Sequence, residues 1–301
     1  GIQKTPIKKK GNYSIKVDST VTKIRPYVTG IVASNGKLDD VAIKQLMNMQ
    51  EDLHAGIGRK RKKSSSSYSF PLTYTTVSRD HKFIPLNGST EQTINEILTN
   101  TDVGQNYGSV IENAKNVPII FDSDQNTISF PPIINSGLTT VTSNTKNILI
   151  EVTGMDKEAA EDMLSVVVSI LQTAGFEFNE LKITGNKNST PQLKEKTMIY
   201  DPKFTSEIIG IEMSPSNMVT CLKKCRLDAS VKGKKITCII PRYRFDIFSP
   251  MDLTEEIALG YGIANIEPKL SPSTTIGQKN DVTMNHEELC ALDFLNPVQK
   301  L

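Results

Sequence analysis

The chain has 301 residues, of which 38% are apolar and 23% charged, and its net charge is +2. That balance suits two folded domains of ordinary size; it excludes wholesale disorder, a fibrous repeat and a molecule basic enough overall to announce a nucleic-acid partner. No run approaches the roughly 20 apolar residues of a membrane helix, and the opening "GIQKTPIKKK" lacks the apolar core of a signal peptide, so a cytoplasmic location without membrane attachment is expected. The absence of an initiator Met suggests a piece of a longer protein. Four cysteines, Cys221, Cys225, Cys238 and Cys290, lack the paired spacing of a zinc site and read as reduced thiols.

Residues 1–24 are polar, basic and broken by Pro6 and Gly11, which predicts a linker. "RPYVTGIVAS" then predicts a strand, and Ala42, Leu46, Met49 and Leu53 recur at helical spacing over about 40–55, capped by Asp39 or Asp40. His54 near that helix end suits the dipole better than a catalytic base. "RKRKK", Arg59 to Lys63, is a solvated loop or a local phosphate contact. "FPLTYTTV" and "HKFIPL" carry the β-branched and aromatic mix of short strands, and a short helix is expected over Glu91 to Leu98. "VPIIF" and "TISF", joined by "DSDQN", predict a hairpin. Pro131 and Pro132 remove two backbone donors and predict an extended segment beyond it.

"NILIEVTG" alternates, placing Ile148, Ile150 and Val152 on one face. Asp156 opens an amphipathic helix through about Ala174, stopped by Gly175, with Ala160, Met163, Val167 and Ile170 or Leu171 in its stripe. The order of elements predicts an α+β class: a layered sheet-and-helix domain over 25–185, then a small α/β domain over 195–268. In the latter, "SPSNMVTCLKKC" predicts a helix capped by Ser214 or Ser216, and "KKITCIIP" a strand. Residues 269–301 read as linker and the start of something further.

The stretch "PRYRFDIFSPMDLTEEIALGYG" holds four carboxylates, Asp246, Asp252, Glu255 and Glu256. Ser249 as N-cap, Pro250 at the first helical position and Asp252 three residues after Ser249 make a capping box, and acidic groups in a first turn are favoured by the dipole. Asp252, Glu255 and Glu256 also share one helical face by i, i+3 and i+4 spacing, and Asp246 could close on the same point. Such a cluster is relieved by a hard cation such as Mg2+. Local physics leaves both alternatives open.

The same residues, "PRYRFDI" and "DLTEEIALGYGIANI", resemble the small domain of the phenylalanyl-tRNA synthetase beta subunit of the cytosolic eukaryotic or archaeal type. "KIRPYV", "MQEDLHAGIGRKRKK", "FPLTYT", "KFIPLN", "VPIIFDSDQNTISFPPIIN" and "TKNILIEVTGMD" follow in the order that family has. The resemblance covers roughly residues 20–270. It implies a heterotetramer of two alpha and two beta subunits joining phenylalanine to its tRNA with ATP, the synthetic site lying on the alpha subunit. It also implies Mg2+ on Asp246, Asp252, Glu255 and Glu256. The larger domain resembles the proofreading domain that hydrolyses tyrosine wrongly joined to this tRNA, and the resemblance places that site near Asp122, Ser129, Pro131 and Asn135. Where the family pattern has Gly-x-His-Asp, this chain has "SSSSYSF", Ser64 to Phe70. A non-catalytic RNA-binding or scaffolding module is therefore the alternative. An unrelated phosphotransferase fits worst, since a GxxxxGK[ST] loop is missing.

Overall fold

The computed structural model describes residues 5–8, 12–53, 64–65, 69–142, 145–185, 191–267, 277 and 280–295. The chain divides into two units, Gly1–Tyr261 and Gly262–Leu301. His54, the basic run Arg59 to Lys63 and Ser66 to Tyr68 lie outside the described residues.

The segment expected as a linker instead contributes β1 (Ile7–Lys8) and β2 (Ser14–Val17), which precede β3 (Tyr27–Ser34). The reason is alternation too short to stand out in a polar stretch: Ile15 and Val17 point into a core while Lys16 faces solvent. Asp39 accepts the Ala42 N–H at 2.6 Å and opens α1 (Asp40–Leu53), as its periodicity predicts. Next come β4 (Ser64–Ser65), β5 (Leu72–Ser78), β6 (Lys82–Phe83) and β7 (Gln92–Thr93). Thr93 and Glu96 form a reciprocal capping box at α2 (Ile94–Asn100), and α3 (Asp102–Tyr107) follows at once.

The predicted hairpin is β8 (Asn116–Phe121) with β9 (Thr127–Phe130), bulged between Ile120 and Phe121, and β10 (Ile134–Asn135) returns along it. Pro131 and Pro132 do not hold an extended segment. They lie in a turn, joined by a cis peptide bond, that the Ile133 N–H closes on the Phe130 carbonyl at 2.8 Å. Then follow β11 (Ile148–Gly154), α4 (Lys157–Thr173), capped by Asp156, β12 (Glu177–Glu180) and β13 (Lys182–Thr184).

Apart from β6 and β7, which pair with each other, these strands make two sheets of orders β1-β12-β3-β11-β4 and β10-β9-β8-β5-β2-β13. β11 carries two faces. Ile148, Ile150 and Val152 pack with Ala160, Met163, Leu164, Val167 and Leu171 of α4. Leu149 faces the other way, joining Val28 and Val32 of β3 in a core shared with Ile15, Leu72, Tyr74, Ile120 and Ile128 of the second sheet. A third core, with Ile94 and Ile97 of α2 and Val117 and Ile119 of β8, fills the second sheet's far side. The α+β layering is thus helix, sheet, sheet, helix, and residues on the inner faces are shut from water.

The later part of the same unit has its own core and a sheet of order β14-β16-β15, from β14 (Lys196–Tyr200), β15 (Asp228–Lys232) and β16 (Lys235–Ile240). It is covered by α5 (Pro202–Ile209), α6 (Pro215–Lys224) and α7 (Pro250–Tyr261), with Ser214 capping α6. Arg242 ties this part to α4: its guanidinium reaches Glu158 at 2.5 Å and Asp162 at 2.8 Å. In the second unit α8 (Asp281–Leu295) forms within the stretch read as linker and the start of something further. Among the described residues no helix is long and apolar enough to cross a membrane.

The close approach of α7 to α6 depends on Gly260, where a Cβ would lie 2.4 Å from the Cys221 carbonyl oxygen. That oxygen belongs to backbone and cannot swing aside. Gly260→Ala is expected to destabilise the chain by about 1–3 kcal/mol, read as a lower urea midpoint at unchanged m-value. An unchanged midpoint would mean that the two helices separate freely.

Candidate functional site

The inner face of β11 changes character along its length. Leu149 is apolar, but the next two residues on that face are Glu151 and Thr153, which are 4% and 2% exposed. Opposite them the second sheet presents Ser129 and Asn135, also buried, with the Ser129 hydroxyl donating to Asn135 Oδ1 at 2.9 Å. Ser129, Phe130, Pro131, Pro132, Asn135, Glu151 and Thr153, with Ile134, line a cavity of about 10 Å³. That is the room of one water, far below the roughly 300–1,000 Å³ of an open ligand pocket.

Two further polar groups reinforce the cluster. Arg25, 3% exposed, donates from Nε to Thr153 Oγ1 and from Nη2 to the Thr153 carbonyl, each at 2.8 Å. Tyr74 donates its hydroxyl to the Arg25 carbonyl at 3.0 Å. Burial pushes the Tyr74 phenol well above its ordinary pKa, the field of Arg25 opposing and that of Glu151 adding to the shift. The phenol therefore stays protonated and acts as a donor.

Of the residues the sequence placed here, Ser129, Pro131 and Asn135 come together around the cavity. Asp122 does not line it. Its carboxylate accepts the backbone N–H groups of Asp124 and Asn126 at 3.0 and 2.8 Å and the Asn126 amide at 3.1 Å, which fixes the β8–β9 turn. Glu151, Thr153 and Arg25 escaped the sequence argument. The available signal was the single charge in "NILIEVTG": period two puts Glu151 on the face opposite Ile150 in a strand buried on both sides.

The second set of candidates lies at α7, and the structure does not gather all four carboxylates about one point. Asp252 spends one oxygen on the N–H groups of Phe248 and Ser249, at 2.9 and 2.7 Å, and on the Ser249 hydroxyl at 3.0 Å. Asp246 and Glu256 are both taken by Arg244, whose Nη2 lies 2.7 Å from Asp246 and 2.6 Å from Glu256. Glu255 is exposed. Among the described residues no group of three or more His, Cys, Asp or Glu is arranged to hold a metal ion. This donor set does not fit Mg2+, since a guanidinium already supplies the cation and backbone donors engage the third acid. The i, i+3 and i+4 spacing aligns side chains, but Asp246, Asp252 and Glu256 each have a local partner.

Comparison with known proteins agrees with this architecture. Residues 198–263 match a family described as the tRNA synthetase B5 domain. The phenylalanine–tRNA ligase beta subunit of Archaeoglobus fulgidus is 33% identical over 291 residues, covering 93% of this chain and 53% of that protein. Its counterpart in Methanocaldococcus jannaschii is 35% identical over 284 residues, covering 91% and 50% respectively. The crystal structure of an N-terminal fragment of the phenylalanyl-tRNA synthetase beta subunit from Pyrococcus horikoshii superposes with a TM-score of 0.80 at 28% identity, covering 87% of this chain and 78% of that one. The fold and the matched domain define a subunit of the aminoacyl-tRNA synthetase class. More narrowly, the chain belongs to the phenylalanine–tRNA ligase beta subunit family, and it spans about half the length of the curated relatives it matches.

The α7 acids have a consequence for pH. The Arg244 hydrogen bond holds Asp246 below the ordinary value of 3.8, and the Phe248 and Ser249 N–H groups do the same for Asp252. Depressed acids contribute stability above the unfolded value that is lost as pH falls through the folded one. Arg244→Met should lower stability near neutrality by about 1 kcal/mol, Asp246 being half-exposed. Urea unfolding near neutrality and again below pH 3.8 should show a smaller acid loss in the variant than in the parent. Equal losses would remove Arg244 as the cause.

Proposed function

We propose that this chain works in a cytoplasmic phenylalanine–tRNA ligase as its beta subunit, paired with alpha subunits in a heterotetramer of two alpha and two beta. In that reading ATP and Mg2+ serve the joining of phenylalanine to tRNA by the whole enzyme, and residues 25–185 form a proofreading domain beside the small domain at 195–268. The cavity between the sheets is the point where proofreading distinguishes tyrosine from phenylalanine. The observation that carries this reading is a buried carboxyl, Glu151, lining a space of one water together with Ser129 and Asn135.

The chemistry of the task explains why such a site is useful. An apolar pocket built for a phenyl ring rejects an added hydroxyl poorly, whereas a site that must hydrogen-bond the hydroxyl discriminates by roughly 10⁴-fold or more. A tyrosyl phenol placed in the cavity donates to the Glu151 carboxylate, with Ser129, Asn135 and Thr153 as neighbouring partners. A phenyl ring offers the carboxylate no such donor. The cavity accommodates the hydroxyl and not the ring, so admission of the ring displaces the Pro131–Pro132 turn that lines it. In the hydrolysis, water adds to the ester carbonyl carbon, the bond to the terminal ribose oxygen breaks, and that oxygen leaves with a proton. The products are free tyrosine and uncharged tRNA. Asp122 serves this site by fixing the adjoining turn.

The test is release of tyrosine from tyrosine-charged phenylalanine tRNA by the full-length subunit assembled with its alpha partner. Glu151→Ala should slow it by about 10²-fold or more while leaving phenylalanine charging intact. Equal hydrolysis in variant and parent would overturn the assignment of Glu151. No hydrolysis by the parent, with charging intact, would favour the RNA-binding scaffold instead.

A further inference from the structure

A carboxylate between two sheets is costly to keep ionised, because leaving water penalises its charged form. Arg25 meets the same penalty: burial lowers its affinity for the proton, and the fields of Tyr74 and Glu151 act against that loss. A guanidinium does not give up its proton in proteins, so the positive charge is a permanent feature of this interior. A permanent buried cation requires an anion nearby.

Glu151, whose field reaches Arg25, supplies one. Arg25 precedes β3 and reaches across to β11, where both of its contacts fall on Thr153. Thr153 and Glu151 are two residues apart on one strand face, so gripping the first fixes the direction of the second. β3 pairs directly with β11, with Gly30 opposite Glu151. A Cβ at Gly30 would lie 2.9 Å from Leu181 Cδ2, so only glycine leaves the inner face clear at that position. The titratable groups of the cluster are Glu151 from β11, Tyr74 from β5 and Arg25 itself; Ser129, Asn135 and Thr153 are neutral.

We propose that Arg25 is a positioning residue of the hydroxyl-reading site, clamping Thr153 and supplying the buried positive charge that holds Glu151 as a fixed carboxylate. The proposal rests on the reading of Glu151 given above. It assigns Arg25 no contact with substrate; the guanidinium acts through the strand and through its field. A neutral donor could grip Thr153 but could not keep the acid ionised, and this separates positioning by charge from simple structural support.

The deciding measurement is the infrared carboxyl signal of Glu151, isolated as the difference between the chain and its Glu151→Gln variant. Near neutrality the parent should give a carboxylate band. Arg25→Met should convert it to the protonated acid band, and Arg25→Lys should retain the carboxylate. A protonated Glu151 in the parent overturns the proposal, and so does a carboxylate that persists in Arg25→Met. Should Arg25→Met fail to fold, the parent spectrum and Arg25→Lys decide alone, since Arg25→Lys giving the acid band would show that charge is not the agent. In the assembled enzyme, Arg25→Met should reduce the preference for tyrosyl over phenylalanyl ester by at least about ten-fold, with rescue by Arg25→Lys. If the parent hydrolyses neither ester, the functional reading fails while the infrared result still judges Arg25.

Discussion

The register of β11 against β3 is the constraint on which the rest of this structure depends. Seven residue pairs run from Ile148 opposite Ala33 to Gly154 opposite Tyr27. In that register Ile148, Ile150 and Val152 meet α4, and Leu149, Glu151 and Thr153 meet the second sheet. A slip of one residue would turn the three aliphatic side chains inward and push the glutamate into the helix layer. Apolar burial at one end of the strand therefore pays for a polar cluster at the other. The core supplies the free energy, and the site inherits its position from it.

The same chain accommodates its acids in two different ways. At α7 the acids lie near solvent, where backbone N–H groups and one guanidinium are enough to satisfy them. Arg244 gains from the arrangement, since the hydrogen bond it donates to Asp246 raises its pKa against the penalty of burial. Between the sheets, among the described residues, the acid lining the cavity is Glu151, with neutral dipoles and the buried Arg25 near it. The first arrangement is suited to holding a helix in place. The second lines a small cavity with polar groups, which is what recognition requires.

Much of the fold was legible in the sequence because the longer elements declare themselves. α4 has its cap at Asp156, its apolar stripe and its stop at Gly175, whose φ is +82°. The β8–β9 hairpin was visible from "DSDQN" between two apolar runs. What stayed hidden was non-local. β2 gains its place only because parallel partners lie on both sides, β5 and β13, and the latter is more than 160 residues away in the chain. The Pro131–Pro132 turn was misjudged because proline fixes φ but not the peptide bond or the path that follows. The candidate site was half legible: Ser129, Pro131 and Asn135 sit within one short stretch, but Glu151 reaches the cavity from another strand and Arg25 reaches Thr153 from a further segment.

That distribution bears on how such a site can work. Its acceptor sits on the central pair of one sheet, its neutral partners on the edge of the other, and its cation on the segment entering β3. The central pair is held on both sides by cores and cannot adjust to a ligand. The β9–β10 edge and the turn between them are bounded by fewer strands, so any opening to admit an aromatic ring must occur there. On the proposed reading, a rigid acceptor facing a yielding edge favours discrimination: the ring is admitted by apolar contact alone, but closing again is favourable only if a hydroxyl reaches the carboxylate. Phenylalanine and tyrosine would then differ less in entry than in the stability of the closed state, which is the state in which an ester is held long enough for water to attack.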